Sequence, residues 1–315
     1  MTNKIAIQMD SIETIDLEFD TSFMIGLEAQ KRNYEIFYYN PHNLFYDEGV
    51  VKASGYYINL YENNLNYYEF KTKKIVVDLK NFSFIFIRQD PPFNMNYITT
   101  TYLLDLIPGK TKIINNPTSV RNFSEKIFPF KFSQYMPPTI VSQNLDMIKK
   151  FLSQYKDIIT KPLYGNGGEG IFRSTIKDKV LNGINSNKNI LDEPIIAQKY
   201  LPEIIEGDRR IILIDGEYAG SVSRIPLKNN IKANFHAGGI AEQTGLIRRD
   251  KEICLALKNI LKKEGLFFVG IDIIGDYLTE INVTSPTGIK QINALNNTNV
   301  EKIFWDKLES KYNIV

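Results

Sequence analysis

The first third of the chain alternates short apolar runs with a segment of helical character, and this alternation strongly constrains the fold. Lys4–Met9 and Glu35–Tyr39 each have the composition of a β-strand. Between them, Thr21 and Ser22 predict the start of a helix that continues to about Arg32. A strand, a helix and a second strand in this order are typical of a parallel sheet with a helical crossover. We therefore predict an open, largely parallel α/β sheet at the N-terminal end.

A continuous apolar run, Phe82–Ile87, predicts a further strand that is covered on both faces. Arg88 and Asp90 follow it directly, next to the pair Pro91-Pro92. Ligands bind beyond the carboxyl ends of the strands in such sheets, so these two side chains are candidates for binding a substrate carboxylate. An ordinary strand-to-helix loop explains the same segment equally well. No Gly-x-Gly-x-x-Gly follows the first strand, so a dinucleotide-binding fold is not indicated.

Charge and composition exclude several classes of function. The 38 Lys and Arg residues nearly balance the 36 Asp and Glu residues, with no basic block, so nucleic-acid and membrane-surface roles are disfavoured. One cysteine, Cys254, and two distant histidines, His42 and His236, support neither a zinc site nor a histidine-based nucleophile. Neither a signal peptide nor a membrane-spanning apolar run is present, so we expect a cytoplasmic location. Carboxylates, lysines, arginines and a cofactor must then supply the chemistry.

Beyond a linker-like Met136–Thr139 segment the sequence becomes rich in hairpins. Asp215-Gly216 predicts a tight turn between two strands. Arg209 and Arg210 stand at the start of the first of these strands, and alternation requires them to face opposite sides of the sheet. Arg224 ends the second strand. A guanidinium group suits a carboxylate or phosphate ligand, so Arg210 and Arg224 are candidate site residues.

A glycine-rich stretch follows the strand that is predicted to end at Lys161. Gly165, Gly167, Gly168 and Gly170 fall within six residues. Backbone without side chains can approach a ligand closely and present N–H groups to phosphate oxygens, and Lys161 adds a positive charge. A flexible hairpin loop is an equally good interpretation.

Three oxygen-bearing residues near the C-terminal end form a candidate metal site. Side chains alternate along a strand, so Glu280 and Asn282 share one face. Asp272 joins them only if the hairpin pairs it with Glu280. We expect this pairing to require a three-residue loop, Gly275–Tyr277, because a two-residue turn would place Asp272 opposite Thr279. Such oxygen ligands suit Mg²⁺ that is shared with substrate phosphates, and the alternative is a polar strand face in solvent.

In their order along the chain these segments resemble the ATP-grasp superfamily, and specifically the bacterial-type glutathione synthetases. The similarity covers nearly the whole chain, and the strings Asp90–Phe93 and Glu280–Thr287 are its most specific parts. Weaker matching strings are Ile5–Asp10, Leu27–Gln30, Ile159–Leu163, Tyr200–Pro202, Gly207–Arg210, Ser223–Pro226 and Ala237–Gly239.

The resemblance implies an α/β (α+β) architecture, in which an ATP-grasp fold follows an open, mostly parallel α/β domain. The expected boundaries are 1–120 for the N-terminal domain and 121–315 for the ATP-grasp domain, with lobes of about 121–200 and 201–315. It also implies a homotetramer.

The resemblance further implies a role for each matching position. ATP would be held by Lys126, Lys161, Gly165, Gly167, Gly168, Gly170, Gln198, Lys199, Tyr200, Leu201 and Asp208. Mg²⁺, with Mn²⁺ as an alternative, would be held by Asp272, Glu280 and Asn282. Arg210, Arg224 and Gly239 would be catalytic. The substrates would be bound by Arg88, Asp90, Asn234, Ser285 and Thr287.

The implied reaction joins γ-glutamylcysteine to glycine at the expense of ATP, through an acyl phosphate. It needs no enzyme nucleophile. Gln89, Tyr164, Asn166 and residues 227–236 depart from the usual pattern of the family, which leaves the acceptor open. The alternatives are an ATP-grasp ligase for another dipeptide or amine, and a nucleotide-binding regulator without catalysis.

If Glu280 holds the metal, Glu280→Ala should abolish Mg²⁺-ATP turnover and leave the fold intact, because a methyl group offers the cation no oxygen. Phosphate release and far-ultraviolet circular dichroism measure the two effects. Near-normal turnover would refute the metal assignment.

Overall fold

The computed structural model describes residues 3–63, 65–165, 168–178, 181, 190–228 and 230–313, with only the backbone of His236. The strands of these residues are β1 (Lys4–Gln8), β2 (Glu35–Tyr39), β3 (Leu44–Asp47), β4 (Val50–Leu60), β5 (Tyr68–Phe70), β6 (Ile75–Asp78), β7 (Phe84–Ile87), β8 (Lys112–Ile114), β9 (Thr139–Asn144), β10 (Asp157–Pro162), β11 (Phe172–Thr175), β12 (Ile190–Lys199), β13 (Asp208–Ile214), β14 (Glu217–Ile225), β15 (Ile240–Gln243), β16 (Phe268–Ile274) and β17 (Tyr277–Asn282).

The α-helices are α1 (Thr21–Lys31), α2 (Met95–Asp105), α3 (Pro117–Asn122), α4 (Leu145–Tyr155), α5 (Arg248–Lys263), α6 (Ile289–Asn296) and α7 (Val300–Tyr312). Short 3₁₀ segments are Ile12–Thr14, Pro41–Asn43, Leu79–Asn81, Phe128–Tyr135, Pro202–Glu206 and Phe235–Ala237.

The N-terminal sheet has the order β3-β4-β2-β1-β7-β8, and its β2-β1-β7-β8 part is parallel, as predicted. The long strand β4 adds an antiparallel part by pairing with β2, β3, β5 and β6. The sequence pattern did not predict this part. Every residue of β7 is buried, as expected for a strand covered on both faces.

The C-terminal helix α7 returns to the N-terminal sheet and packs beneath it. Trp305 is fully buried, stacks on Tyr34 at 4.8 Å and meets Phe84 edge-on at 5.9 Å. Its indole N–H donates to the carbonyl oxygen of Ile25 at 2.9 Å. Residues from the two ends of the chain therefore share one hydrophobic core.

Two antiparallel sheets follow in the second half of the chain. The first has the order β11-β10-β12-β9 and packs against α4, and the second has the order β15-β14-β13-β16-β17. Helix α5 covers one face of the second sheet with Ile253, Leu257 and Leu261. The predicted turn at Asp215-Gly216 is present, with both residues at positive φ between β13 and β14.

Helix α3 is short and ends at Asn122. After it the chain runs beside β17, where the N–H of Ile281 donates to the carbonyl oxygen of Glu125 at 3.1 Å. Phe128 begins a 3₁₀ segment and is buried in the core under β13 and β16. This pairing with a distant strand prevents a continuous helix.

Across the part of the chain that the structure describes, the helices are all too short or too polar to cross a membrane.

Trp305→Ala should lower the free energy of unfolding by about 3–5 kcal/mol, because it leaves a large cavity in the shared core. Leu255→Ala is the control, since Leu255 is 71% exposed on α5. Urea unfolding followed by far-ultraviolet circular dichroism is the measurement, because Trp305 is the only tryptophan. Equal effects of the two substitutions would contradict the packing described.

Candidate active site

A cavity of about 650 Å³ is lined by residues from both antiparallel sheets and the loops around them. Most of the residues that the sequence pattern and the family resemblance assign to a site meet there. They are Asp90, Lys126, Lys161, Gly165, Gly168, Gln198, Lys199, Tyr200, Leu201, Asp208, Arg210, Arg224, Asn234, Asp272, Glu280, Asn282, Ser285 and Thr287. Arg88, Gly170 and Gly239 do not line it. Gly167, together with Asn166 and Asn229, lies outside the described residues.

The β16–β17 hairpin pairs Asp272 with Glu280, as the metal-site hypothesis required, but by a different route. The expected three-residue loop is wrong, since Ile274 pairs with Tyr277 across a two-residue turn. A β-bulge then leaves Thr279 as an extra residue between the pairs, and its hydroxyl donates to the carbonyl oxygen of Asp272 at 3.0 Å. The bulge shifts the register by one residue and so restores the pairing of the two carboxylates.

This bulge also decides which side chains reach the cavity. Leu278 and Ile281 both enter the core beneath α5, whereas Glu280 lies between them in sequence and lines the cavity with Asn282. Strict alternation would have placed Leu278 and Glu280 on the same face. The extra residue Thr279 removes this conflict between an apolar and an acidic side chain.

Four buried charges form a network on the cavity face of the second antiparallel sheet. Arg210 binds both carboxylate oxygens of Asp272, at 2.5 Å from Nε and 2.9 Å from Nη2. Arg224 binds both oxygens of Asp208, at 2.5 and 2.7 Å, and its Nη2 lies 2.8 Å from Asp272. The two negative charges compensate the two positive charges, which reduces the free-energy cost of burying all four.

The two acids of this network respond differently to burial. Burial alone would raise the pKa of Asp272, but the charges of Arg210 and Arg224 and their hydrogen bonds hold its pKa well below the ordinary value. For Asp208, burial outweighs the attraction of Arg224, and its pKa is raised. Asp272 is therefore the firmly ionised member at the centre of the network.

Two lysines approach each other beside Glu280. The pKa of Lys161 is lowered to about 8, mainly by burial; the charge of Glu280 opposes this shift and the charge of Lys126 contributes to it. Lys126 is buried, and its ammonium group donates to the carbonyl oxygen of Gly165 at the start of the glycine-rich loop. An anionic ligand would relieve the repulsion between the two ammonium groups.

Steric contacts with neighbouring residues explain why glycine occupies the described positions of the loop. A Cβ on Gly170, which has φ +68°, would lie 2.7 Å from Cγ of Pro162, and one on Gly165 would lie 3.2 Å from the same ring. Gly168, at φ +79°, lies against the side chains of Lys232 and Asn234. Gly165 and Gly170 therefore both lie against Pro162, and Gly168 touches the segment that follows β14.

The segment that follows β14 forms a tight turn. Asn234 accepts a hydrogen bond from the N–H of Ala237 at 2.9 Å and begins a 3₁₀ turn. A Cβ on Gly239 would lie 1.8 Å from the carbonyl oxygen of Ala233, so the turn tolerates only glycine there. Phe235, which lies between Asn234 and Gly239 in the sequence, lines the cavity and stacks on Phe19 at 5.3 Å.

Arg88 lies beneath the loop that carries Ser285 and Thr287. Its guanidinium donates to Ser22 at 3.0 Å and to the carbonyl oxygen of Pro286 at 3.0 Å. Ser285 in turn donates to the carbonyl oxygen of Arg88 at 3.2 Å. Nη1 of Arg88 has no hydrogen-bond partner among the described residues. Burial lowers the pKa of Arg88 against the opposing charges of Asp20 and Asp90.

The side chains that line the cavity and that sequence reasoning missed include Glu125, Lys232 and Phe235. Burial and the charge of Glu280 raise the pKa of Glu125 to about 8. Its position directly before Lys126 was the only available signal. Lys232 and Phe235 lie in the segment 227–236 that departs from the pattern of the family, where the resemblance assigned only Asn234.

The donor set of the cavity has the chemistry of a magnesium–nucleotide site. Asp272, Glu280 and Asn282 present hard oxygen atoms next to two lysines, a combination that suits Mg²⁺ together with phosphate. Within the described ranges, no group of three His, Cys, Asp or Glu side chains is arranged to hold a metal alone. The residues therefore fit a cation whose remaining ligands come from phosphate oxygens or water.

Comparison with known proteins extends over the whole chain. The family models for the N-terminal domain and the ATP-grasp domain of prokaryotic glutathione synthetase match residues 3–121 and 125–297. The chain belongs to the prokaryotic glutathione synthetase family. Among the relatives, the glutathione synthetase of Brucella melitensis biotype 1 is 44% identical over 99% of this chain and 100% of its own length. That of Vibrio cholerae serotype O1 is 39% identical over 98% of both chains.

Solved structures share the fold at low identity. The ATP-grasp ligase PsnB, complexed with a phosphomimetic variant of a minimal precursor, Mg and ADP, has a TM-score of 0.65 at 15% identity, covering 98% of both chains. D-cycloserine synthetase DcsG has a TM-score of 0.66 at 12% identity, covering 97% of this chain and 99% of its own. The predicted membership of the glutathione synthetase family, the ATP-grasp fold and the assignment as an ATP-dependent ligase are thereby confirmed.

The two adjacent arginines offer a matched test of the site. Arg209 faces away from the cavity and binds the fully buried Asp250 at 2.8 and 2.9 Å. Arg209→Ala should therefore lower the free energy of unfolding by about 3–5 kcal/mol and leave turnover by the folded enzyme near normal. Arg210→Ala should also destabilise the protein, because it takes one partner from the buried Asp272, and it should in addition lower kcat of the folded enzyme about 100-fold or more.

Denaturant titrations and phosphate-release kinetics separate these effects. A loss of turnover in folded Arg209→Ala equal to that in Arg210→Ala would contradict the assignment of the two arginines to opposite faces.

Proposed function

We propose that this chain is a glutathione synthetase, which joins γ-glutamylcysteine to glycine and converts ATP to ADP and phosphate. The observation that carries the proposal is the meeting of Lys126, Lys161, Arg210 and Glu280 in one cavity of a chain whose relatives bear this name over their full length. Such a cavity offers cations for phosphate groups and, among the residues that the structure describes, no activated nucleophile, which fits a ligase that works by activating a carboxylate.

The reaction has two steps, and each balances. A carboxylate oxygen of the cysteine residue in γ-glutamylcysteine attacks the γ-phosphorus of ATP. The bond between that phosphorus and the bridging β,γ-oxygen breaks, which releases ADP and leaves an acyl phosphate. The glycine amine then attacks the acyl carbon and loses a proton. The carbon–oxygen bond to phosphate breaks, and glutathione and phosphate result.

Lys126, Lys161 and Arg210 would neutralise the charge that moves between the nucleotide and the carboxylate. Arg210 is suited to this role because Asp272 and the carbonyl oxygen of Thr287 fix its guanidinium before any ligand arrives. A preorganised cation stabilises developing negative charge without further rearrangement. Arg224, held by Asp208 and Asp272, would serve the substrate end.

Asp272, Glu280 and Asn282 would hold Mg²⁺, with Mn²⁺ as an alternative, and the solved PsnB complex with Mg and ADP supports this choice. When bound, the cation would neutralise phosphate oxygens and orient the transferred group. Both oxygens of Asp272 already accept hydrogen bonds from Arg210. We therefore expect Glu280 and Asn282 to be more accessible to the cation than Asp272.

The remaining cavity residues divide between nucleotide and substrates. Gln198 to Leu201 would border the adenine, and Asp208 would lie near the ribose. Gly165 to Gly170 would cover the phosphates and limit hydrolysis of the acyl phosphate by water. Gly239 would contribute to catalysis by closing the segment after β14.

At the substrate end, Ser285, Thr287 and Asn234 would border the incoming glycine. Arg88 and Asp90 would bind γ-glutamylcysteine, with Nη1 of Arg88 available for a carboxylate. The burial of this guanidinium group, which donates to Ser22 and to the carbonyl oxygen of Pro286, supports an anionic ligand.

Three further properties stay predictions. We propose domain boundaries at 1–120 and 121–315, which the adjoining family matches to residues 3–121 and 125–297 support. We also propose a homotetramer and a cytoplasmic location.

Phosphate release measured with ATP, Mg²⁺, γ-glutamylcysteine and a panel of amines tests the proposal. We expect release that requires both γ-glutamylcysteine and glycine, because the acyl phosphate forms on the one and is consumed by the other. Mass spectrometry should identify glutathione as the product.

Turnover with only a different donor or amine would contradict the proposed substrates and favour another ATP-grasp ligase. Nucleotide binding without release under any of these conditions would favour a regulator.

A further inference from the structure

Glu125 lies against the proposed metal ligand Glu280 and is fixed from three directions. Its carbonyl oxygen accepts a hydrogen bond from Ile281 at 3.1 Å. Its side chain accepts one from the hydroxyl of Thr284, and its carboxyl group contacts that of Glu280. Glu125 is 9% exposed, and the exposed part faces the cavity.

The sheet itself holds the side chain of Glu280 less firmly than that of Asp272. Two arginines hold Asp272 in the middle of the sheet, whereas Glu280 belongs to the edge strand β17. No lysine or arginine of the described chain forms an ion pair with Glu280 within 4.0 Å. It also follows directly on the bulge at Thr279, where the ladder is interrupted.

The segment around Glu125 provides contacts on the side of β17 where the sheet has no neighbouring strand. It lies along the outer side of β17, with its backbone hydrogen-bonded to Ile281 and its side chain between Glu280 and Thr284. Residues Glu280 and Thr284 flank the proposed ligand Asn282, so one side chain touches both ends of the ligand-bearing stretch.

We propose that Glu125 is a positioning residue that holds the carboxylate of Glu280 toward the cation bound with the nucleotide. This inference rests on the proposed function only in taking that cation to be Mg²⁺ bound with ATP. Groups that orient metal ligands typically contribute about 10- to 100-fold to metal affinity.

Calorimetric titration of the full chain with a non-hydrolysable ATP analogue, at a series of Mg²⁺ concentrations, tests the proposal without turnover. Glu125→Ala should raise the Mg²⁺ concentration for half-maximal binding about 10- to 100-fold. Binding of the analogue without Mg²⁺ should stay near the wild-type value. Glu125→Gln should stay close to wild type throughout, because its amide can still accept from Thr284 and contact Glu280.

Glu242→Ala is the matched control, since Glu242 lies on β15 at the opposite edge of the same sheet and outside the cavity. It should leave the Mg²⁺ requirement unchanged. If Glu125→Ala does not fold, Thr284→Val replaces it. Removal of the hydroxyl that holds Glu125 should then raise the requirement several-fold.

An unchanged Mg²⁺ requirement in folded Glu125→Ala, or in Thr284→Val where that variant replaces it, would overturn the proposal. An equal rise in Glu125→Gln and Glu125→Ala would also overturn it, because the charge of Glu125 would then act on the cation directly. Failure of the proposed function looks different: the wild type would bind Mg²⁺ and nucleotide normally but make no glutathione.

Discussion

The carboxylate of Asp272 is the interaction on which the site depends. It receives Arg210 through two hydrogen bonds and Arg224 through a third contact, and Arg224 continues to Asp208. Removal of any member would leave an uncompensated buried charge, which is far more costly than loss of the whole set. The network therefore fixes two guanidinium groups in the cavity before a ligand is bound.

Residues outside this sheet also position the side chains on its cavity face. The loop that carries Ser285 and Thr287 is held from one side by Arg210 and from the other by Arg88, which follows strand β7 of the N-terminal sheet. Asn115 makes a second junction, since its amide bonds the backbone of Phe268 and Val283 at 2.7–2.8 Å. The N-terminal sheet thus positions residues of the active site through backbone contacts as well as by bordering the cavity.

The cavity collects fixed charges of both signs and little that can act as a nucleophile. Lys126 and Lys161 face Glu125 and Glu280, while Arg210 and Arg224 are neutralised by their acids. An enzyme that transfers a phosphoryl group between two substrates needs this arrangement, because positioning and charge neutralisation supply most of the catalysis. The single buried cysteine, Cys254, lies in the core beneath the sheet and takes no part.

The amino-acid sequence by itself determined the properties that depend on local periodicity and on resemblance. The parallel N-terminal sheet, the turn at Asp215-Gly216, the opposite orientation of Arg209 and Arg210, and the shared face of Glu280 and Asn282 all follow from patterns a few residues long. Family membership followed from strings such as Asp90–Phe93.

Only the tertiary structure decided how distant segments meet. A bulge at Thr279, and not a longer loop, aligns Asp272 with Glu280. The register of two paired strands depends on contacts between them, which the local pattern of either strand does not specify. Glu125 joins the site through a backbone bond to a strand about 150 residues later, a pairing that no local propensity encodes. Arg88 lies under a loop of the ATP-grasp fold for the same reason: contacts between remote segments are set by packing, which sequence periodicity does not specify.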